Sequence, residues 1–268
     1  MPAIQLARLK IQTAELVTHF DNPTFFVRRL HDLLDFYADR TRKPGQAGEP
    51  PPLIKPYNVP RPVLRQVRID LVPFVAMDKD SALVLCDALW VEPYLEFRLL
   101  AVDLLGLIPA DFPEEILERI NAWAVPGTED RLLDGLVNEG LTQVQKWTPE
   151  RYLTQLEEWL TAEEDFSRRI GLKAISITLS DRDFENLPRL FRLLAPLVRS
   201  TPSQLRPDLL DVMRELARRS PNEAAFFLRN NLTVMVDDDS TAWLIRNSAR
   251  YFPEDVQRNL KNALRKET

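Results

Sequence analysis

Five times in this chain a proline stands where a helix would begin. The phrases are Phe112-Pro113-Glu114-Glu115, Thr148-Pro149-Glu150-Arg151, Thr201-Pro202-Ser203-Gln204, Ser220-Pro221-Asn222-Glu223 and Phe252-Pro253-Glu254-Asp255. Proline suits the first helical position, because the N–H it lacks would have no partner there. A Thr or Ser before it can cap the helix, and an acid or amide after it suits the positive helix end. Each phrase is followed by apolar residues at helical spacing. A chain that opens helix after helix by one device predicts stacked antiparallel pairs. The expected fold is all-α, a right-handed superhelical solenoid of HEAT-like or ARM-like pairs repeating every 35 to 45 residues or so, roughly the helical-repeat range.

The rest of the composition agrees. Only 7 of 268 residues are glycine, which argues against hairpin-rich and Rossmann-type folds, while 21 are proline. The one hairpin-type dipeptide, Asp134-Gly135, lies inside a helical pattern. Residues 4–19 and 22–40 read as amphipathic helices, the second with a stripe of Phe26, Leu30, Leu33, Leu34 and Tyr37. The expected organisation is an N-terminal helical hairpin over 1–40, a Pro-rich linker over 41–60 and a HEAT-like domain over 61–268. Within the last, 128–146 reads as one helix, and Gly171 marks a close helix approach in a strongly helical segment.

Several chemistries are excluded early. The two histidines, His19 and His31, both fall in the N-terminal hairpin, so neither a Ser-His-Asp triad nor a His-rich metal site is expected. There is no Gly-rich phosphate loop. No metal and no cofactor are expected. Cys86 sits in the apolar run Ala82–Leu89 and reads as a buried core thiol. No run of apolar residues is long enough to span a membrane, no secretory leader pattern is seen, and a cytoplasmic location is expected.

Charge is unevenly spread. Residues 109–165 carry 14 acids and 4 bases, and residues 166–219 carry 11 bases and 6 acids, in a chain of net charge −5. In the acidic stretch, Asp130 and Asp134 are four apart and share a helix face. Asp130 reads as a first-turn acid; Asp134, among Leu132, Leu133, Leu136 and Val137, is the candidate catalytic carboxylate. The basic region opens with Arg168, Arg169 and Lys173 and continues through Arg189, Arg192, Arg199, Arg206, Arg214, Arg218 and Arg219. Arg169, Arg168, Lys173, Arg206 and Arg214 are the candidate phosphate contacts.

Several segments, in order, carry a resemblance. They are Val59–Arg65, Ala88–Ala101, Trp159 through Phe166-Ser-Arg168-Arg169, and Met213–Glu223. Together they resemble the DNA alkylation repair family of HEAT-like proteins, the AlkD-type glycosylases, from about Val59 to about Asn231. The resemblance implies a solenoid that cradles duplex DNA and releases cationic alkylated purines without a metal. The family's catalytic aspartate falls on Asp134 and its backbone-holding arginine on Arg169. Two of its tryptophans fall on Asp130 and Asp211, so both aromatic walls have become carboxylates. Three functions follow: a non-catalytic protein binding duplex nucleic acid or a protein partner on its concave face, an active glycosylase using Asp134, or a protein–protein adaptor.

Overall fold

Proline and short polar caps set the helix starts. The computed structural model describes residues 5–41, 54–111, 113–232 and 240–266. Most of the expected linker, 42–53, lies outside these residues, as does Phe112. Helices α6 (Pro113–Trp123), α9 (Pro149–Thr161) and α13 (Pro221–Leu232) begin on the proline itself, and α15 (Glu254–Lys266) begins one residue after Pro253. Pro202 instead leads a single 3-10 turn ahead of α12 (Arg206–Arg219).

The threonines before proline do not cap the helix that follows. Thr148 Oγ1 donates to the carbonyl of Val144 at 3.0 Å and Thr201 Oγ1 to that of Leu197 at 2.6 Å. These are the orphan carbonyls of the preceding helix. A Thr-Pro pair therefore closes one helix through the hydroxyl and opens the next through the ring. Forward capping is supplied elsewhere: Asn22 for α2 (Pro23–Tyr37), Asp78 for α4 (Lys79–Trp90) and Asn186 for α11 (Leu187–Arg199). Two prolines, Pro73 and Pro196, lie inside helices, each in the final turns.

The chain divides into two units, Met1–Arg151 and Tyr152–Thr268. In the first, α1 (Leu6–Val17) packs on α3 (Arg61–Met77), α3 on α5 (Leu95–Leu105), and α5 on α7 (Asp130–Gly135). A second layer runs from α2 to α4, and from α4 to α6. Trp90 of α4 stacks on Trp123 of α6 at 4.5 Å and 8° between planes. Beside them Arg119 grips Asp87 through two bonds of 2.9 and 2.7 Å. These helices thus touch the ones two places along, as helical repeats do, and α4 also packs extensively on α5. Segment 54–60 is tied down by Glu96, a buried carboxylate of α5 that accepts the N–H groups of Tyr57 and Asn58 at 2.9 and 2.8 Å. His31 of α2 shares hydrogen bonds with Tyr57 Oη and Glu92, a packing role in a ring cluster that includes Tyr94 and Phe97. Cys86 is fully buried, and burial pushes its thiol pKa far above the usual range.

In the second unit, α10 (Asp165–Ser180), α12 and α14 (Ser240–Ser248) form one layer and α11, α13 and α15 the other. Gly171 lies where expected for a close approach: a Cβ there would stand 2.9 Å from Leu160 Cδ2 and 3.2 Å from Trp159 Cβ. The described residues contain no strand, only an isolated bridge between Lys55 and Tyr94. The fold is the expected all-α helical-repeat type.

The helix expected over 128–146 is broken. It runs as α7, a π segment π1 (Leu136–Gly140) and α8 (Thr142–Trp147). Gly106, the residue after α5, stands against the π segment. A Cβ there would fall 2.0 Å from the carbonyl oxygen of Glu139, so the two backbones can meet only at glycine. Gly106→Ala is expected to lower stability by about 1–3 kcal/mol through overpacking against backbone. Gly140→Ala, whose nearest contact would be an ordinary 3.6 Å to Ile120, should stay within about 1 kcal/mol of the parent. Urea unfolding midpoints of the two variants check this.

Candidate functional site

The first unit carries an open groove built from its α3–α5–α7 layer. Its lining includes Arg61, Arg65 and Arg68 from α3, Asp103 from α5, and Arg131, Asp134, Asn138 and Glu139 from α7 and π1. The three α3 arginines are four and three residues apart, which puts them on one helix face. Val63, Val67 and Leu71 occupy the opposite, buried face. Arg61, Arg65 and Arg131 are exposed and have no ion-pair partner among the described residues. Arg68 stands 3.9 Å from Asp103.

The π segment sets the acidic wall. On a straight α-helix, residues five apart diverge by about 140° at 100° per residue. The wider π turn closes after five residues, which brings Asp134 and Glu139 to the same side. Glu139 is held above the usual carboxylate range by burial first, with added repulsion from Asp103 and Asp134. Burial also raises Asp103, partly offset by Arg68. Asp134 is exposed on the groove wall, one residue before the helix changes register. The groove therefore presents three exposed guanidinium groups around a carboxylate cluster. The arginines can take phosphate oxygens bidentately, and Asp134 can stabilise an adjacent developing cation.

Sequence reasoning singled out Asp134 here but passed over Arg61, Arg65, Arg68, Arg131, Asp103 and Glu139. The i, i+4, i+7 arginine spacing in Arg61–Arg68 was the available signal. Glu139 had none, because only the π turn carries it to Asp134.

The remaining candidates lie in the second unit. Arg168 donates to the carbonyl of Ala162 at 2.6 Å and to Asp165 at 3.3 Å, bracing the turn into α10. Arg169 pairs with Asp208 at 3.4 Å. Asp208 is raised by burial, against the lowering pull of Arg169 and Lys173. Arg206 lies over the ring of Trp243 at 4.5 Å. Arg214 bonds Asp211 at 2.6 Å and sits by the ring of Tyr251. Arg169, Lys173, Asp208, Asp211 and Arg214 therefore form one mixed-charge face of α10 and α12. Arg219 is consumed by the carbonyls of Leu179, Asp181 and Phe184. Asp130 opens α7 as a first-turn acid, and is exposed. Among the described residues no cluster of His, Cys, Asp and Glu could hold a metal ion, and no helix is long and apolar enough to cross a membrane.

A two-layer helical repeat with an arginine-lined groove is the class this fold and site define. Residues 54–252 match the family described as DNA alkylation repair enzyme, and the chain belongs to that family. The structure is similar to AlkD2 from Streptococcus mutans, with 13% identity, a TM-score of 0.54, and coverage of 70% of this chain and 99% of that one. It is likewise similar to smu.31 from Streptococcus mutans UA159, at 13% identity and TM-score 0.54, over 71% and 98% of the two chains. These likenesses concern the fold. Comparison with curated protein sequences finds no match.

The raised carboxylates give a pH signature. A carboxyl whose folded pKa exceeds its unfolded value binds more protons when folded, so its protonation favours the folded state and that advantage is lost as pH climbs through the raised value. Glu139→Gln removes this penalty. The variant should melt higher than the parent at neutral pH, and the gap should close as pH falls toward the ordinary glutamate value of 4.5. Thermal melts of both proteins across that range test it.

Proposed function

We propose that this chain binds duplex nucleic acid through the sugar–phosphate backbone, using Arg61, Arg65 and Arg131 of the groove as its principal contacts. The supporting observation is that three exposed guanidinium groups without ion-pair partners among the described residues share one open groove. Family membership supports the same ligand class. Arg169, Lys173, Arg206 and Arg214 add contacts at the price of breaking pairs already made, so each contributes less; Arg168, bound to its own turn, contributes least.

A second function is favoured by one specific observation: Asp134 lies on the wall of that same groove. There it would stabilise the oxocarbenium ion formed as a cationic alkylated purine leaves deoxyribose. Among the described residues no aromatic side chain lines the groove, and Asp130 and Asp211 stand at the tryptophan positions the resemblance implies. Binding without excision is therefore the preferred assignment, on those two substitutions.

Both assignments are measurable. Fluorescence anisotropy with labelled duplex DNA should show affinity falling steeply with salt, as counterions are released. Arg65→Ala should weaken binding and make the log–log salt slope shallower by about one. No binding at low salt would remove the proposal. Release of N7-alkylguanine from alkylated duplex by the parent, abolished in Asp134→Asn, would establish the glycosylase; the preferred outcome is no release by either.

A further inference from the structure

Trp147 ends α8 with its side chain 63% exposed, the one tryptophan among the exposed large hydrophobic residues. Leaving an indole in water forgoes a large burial gain, so its setting matters. The ring is not loose. Its Nε1–H donates to Oε1 of Gln143 at 2.8 Å, and Lys146 Nζ lies over it, 5.0 Å from the centroid. The hydrogen bond fixes the ring plane through the edge, and the lysine occupies one face. The other face has no ring or cation contact among the described residues.

The neighbours decide what such a face fits. Thr142, Lys146 and Glu150, its neighbours in sequence, are also exposed. A protein interface needs contiguous apolar area. A single oriented ring with a cation beside it matches one unstacked nucleobase and its phosphate. Trp147 lies nine residues beyond Asn138 of the groove, across the end of the π segment and the turn at Leu141.

We propose that Trp147 is a stacking platform for an unpaired base, with Lys146 taking the adjoining phosphate, so that the protein prefers duplexes interrupted by an unpaired nucleotide over fully paired ones. This rests on the nucleic-acid assignment above and adds the form of nucleic acid preferred. An intact duplex offers its bases only edge-on, and the exposed face of the indole gains nothing from it.

The test uses the full chain and two fluorescein-labelled DNA duplexes of equal length, one fully paired and one carrying a single unpaired thymine. The parent should bind the interrupted duplex about tenfold more tightly, within the range that stacking contributes. Trp147→Ala should bring that ratio to about one, and Trp147→Phe should keep an intermediate ratio. An equal affinity of the parent for both duplexes overturns the platform and leaves the backbone-binding assignment standing, as does a preference that survives in Trp147→Ala. Self-association in sedimentation that is lost in Trp147→Ala, with equal affinities for the two DNAs, assigns the ring to a protein interface and also overturns it. Failure of the parent to bind either duplex at low salt overturns both assignments together.

Discussion

The helices of this chain bury their apolar faces against both the next helix and the helix two places along. That constraint produces the rest. In the first unit it aligns α1, α3, α5 and α7 as one layer and α2, α4 and α6 as another. What remains on the outside of α3, α5 and α7 is then brought side by side, although it comes from stretches about thirty residues apart. Arg65, Asp103 and Asp134 become neighbours because Val67, Leu100 and Leu133 had to be buried. The groove is a by-product of where the core sits, and its chemistry is whatever the polar faces bear.

Within that frame, one close contact tunes the site. Gly106 admits the carbonyl of Glu139 where no side chain could fit. The π turn formed at this point rotates the helix that follows. On a straight α-helix Asp134 and Glu139 would point in different directions. Glu139 is raised chiefly by burial, and Asp134 adds to the repulsion that Asp103 exerts on it. π turns inside helices recur at functional sites for this kind of reason.

The architecture was legible in the chain because its signals are local. A proline with an acid or amide behind it names a helix start without reference to anything distant, and Gly171 in an apolar run announces a tight crossing. Sites are harder, because they depend on which polar faces meet. Asp134 stood out by its apolar neighbours in sequence, yet its neighbours in space are arginines 66 to 73 positions earlier, at Arg68, Arg65 and Arg61. A 3.6-residue period also assigns Glu139 to another face, so the acid nearest in effect was invisible. Runs of charge misdirect in the opposite sense. The stretch 166–219 is rich in arginine, but Arg168 and Arg219 spend their donors on backbone carbonyls and Arg169 faces Asp208. Counting bases along the chain measures charge, not availability.

Availability is what distinguishes the two arginine sets. A guanidinium already paired at 2.6 Å, as Arg214 is with Asp211, must surrender that bond to take a phosphate, and the net gain shrinks accordingly. Arg61, Arg65 and Arg131 surrender nothing comparable. Their limit is different: Asp103, Asp134 and Glu139 share the groove and repel the same phosphate that the arginines attract. Burial keeps two of these three carboxyl groups easier to protonate than usual, and protonation removes the repulsion without touching an arginine. An approaching polyanion favours that protonated form, since its charge adds to the field already acting on Asp103 and Glu139. A polyanion bound at the groove would therefore be coupled to proton uptake at Asp103 and Glu139.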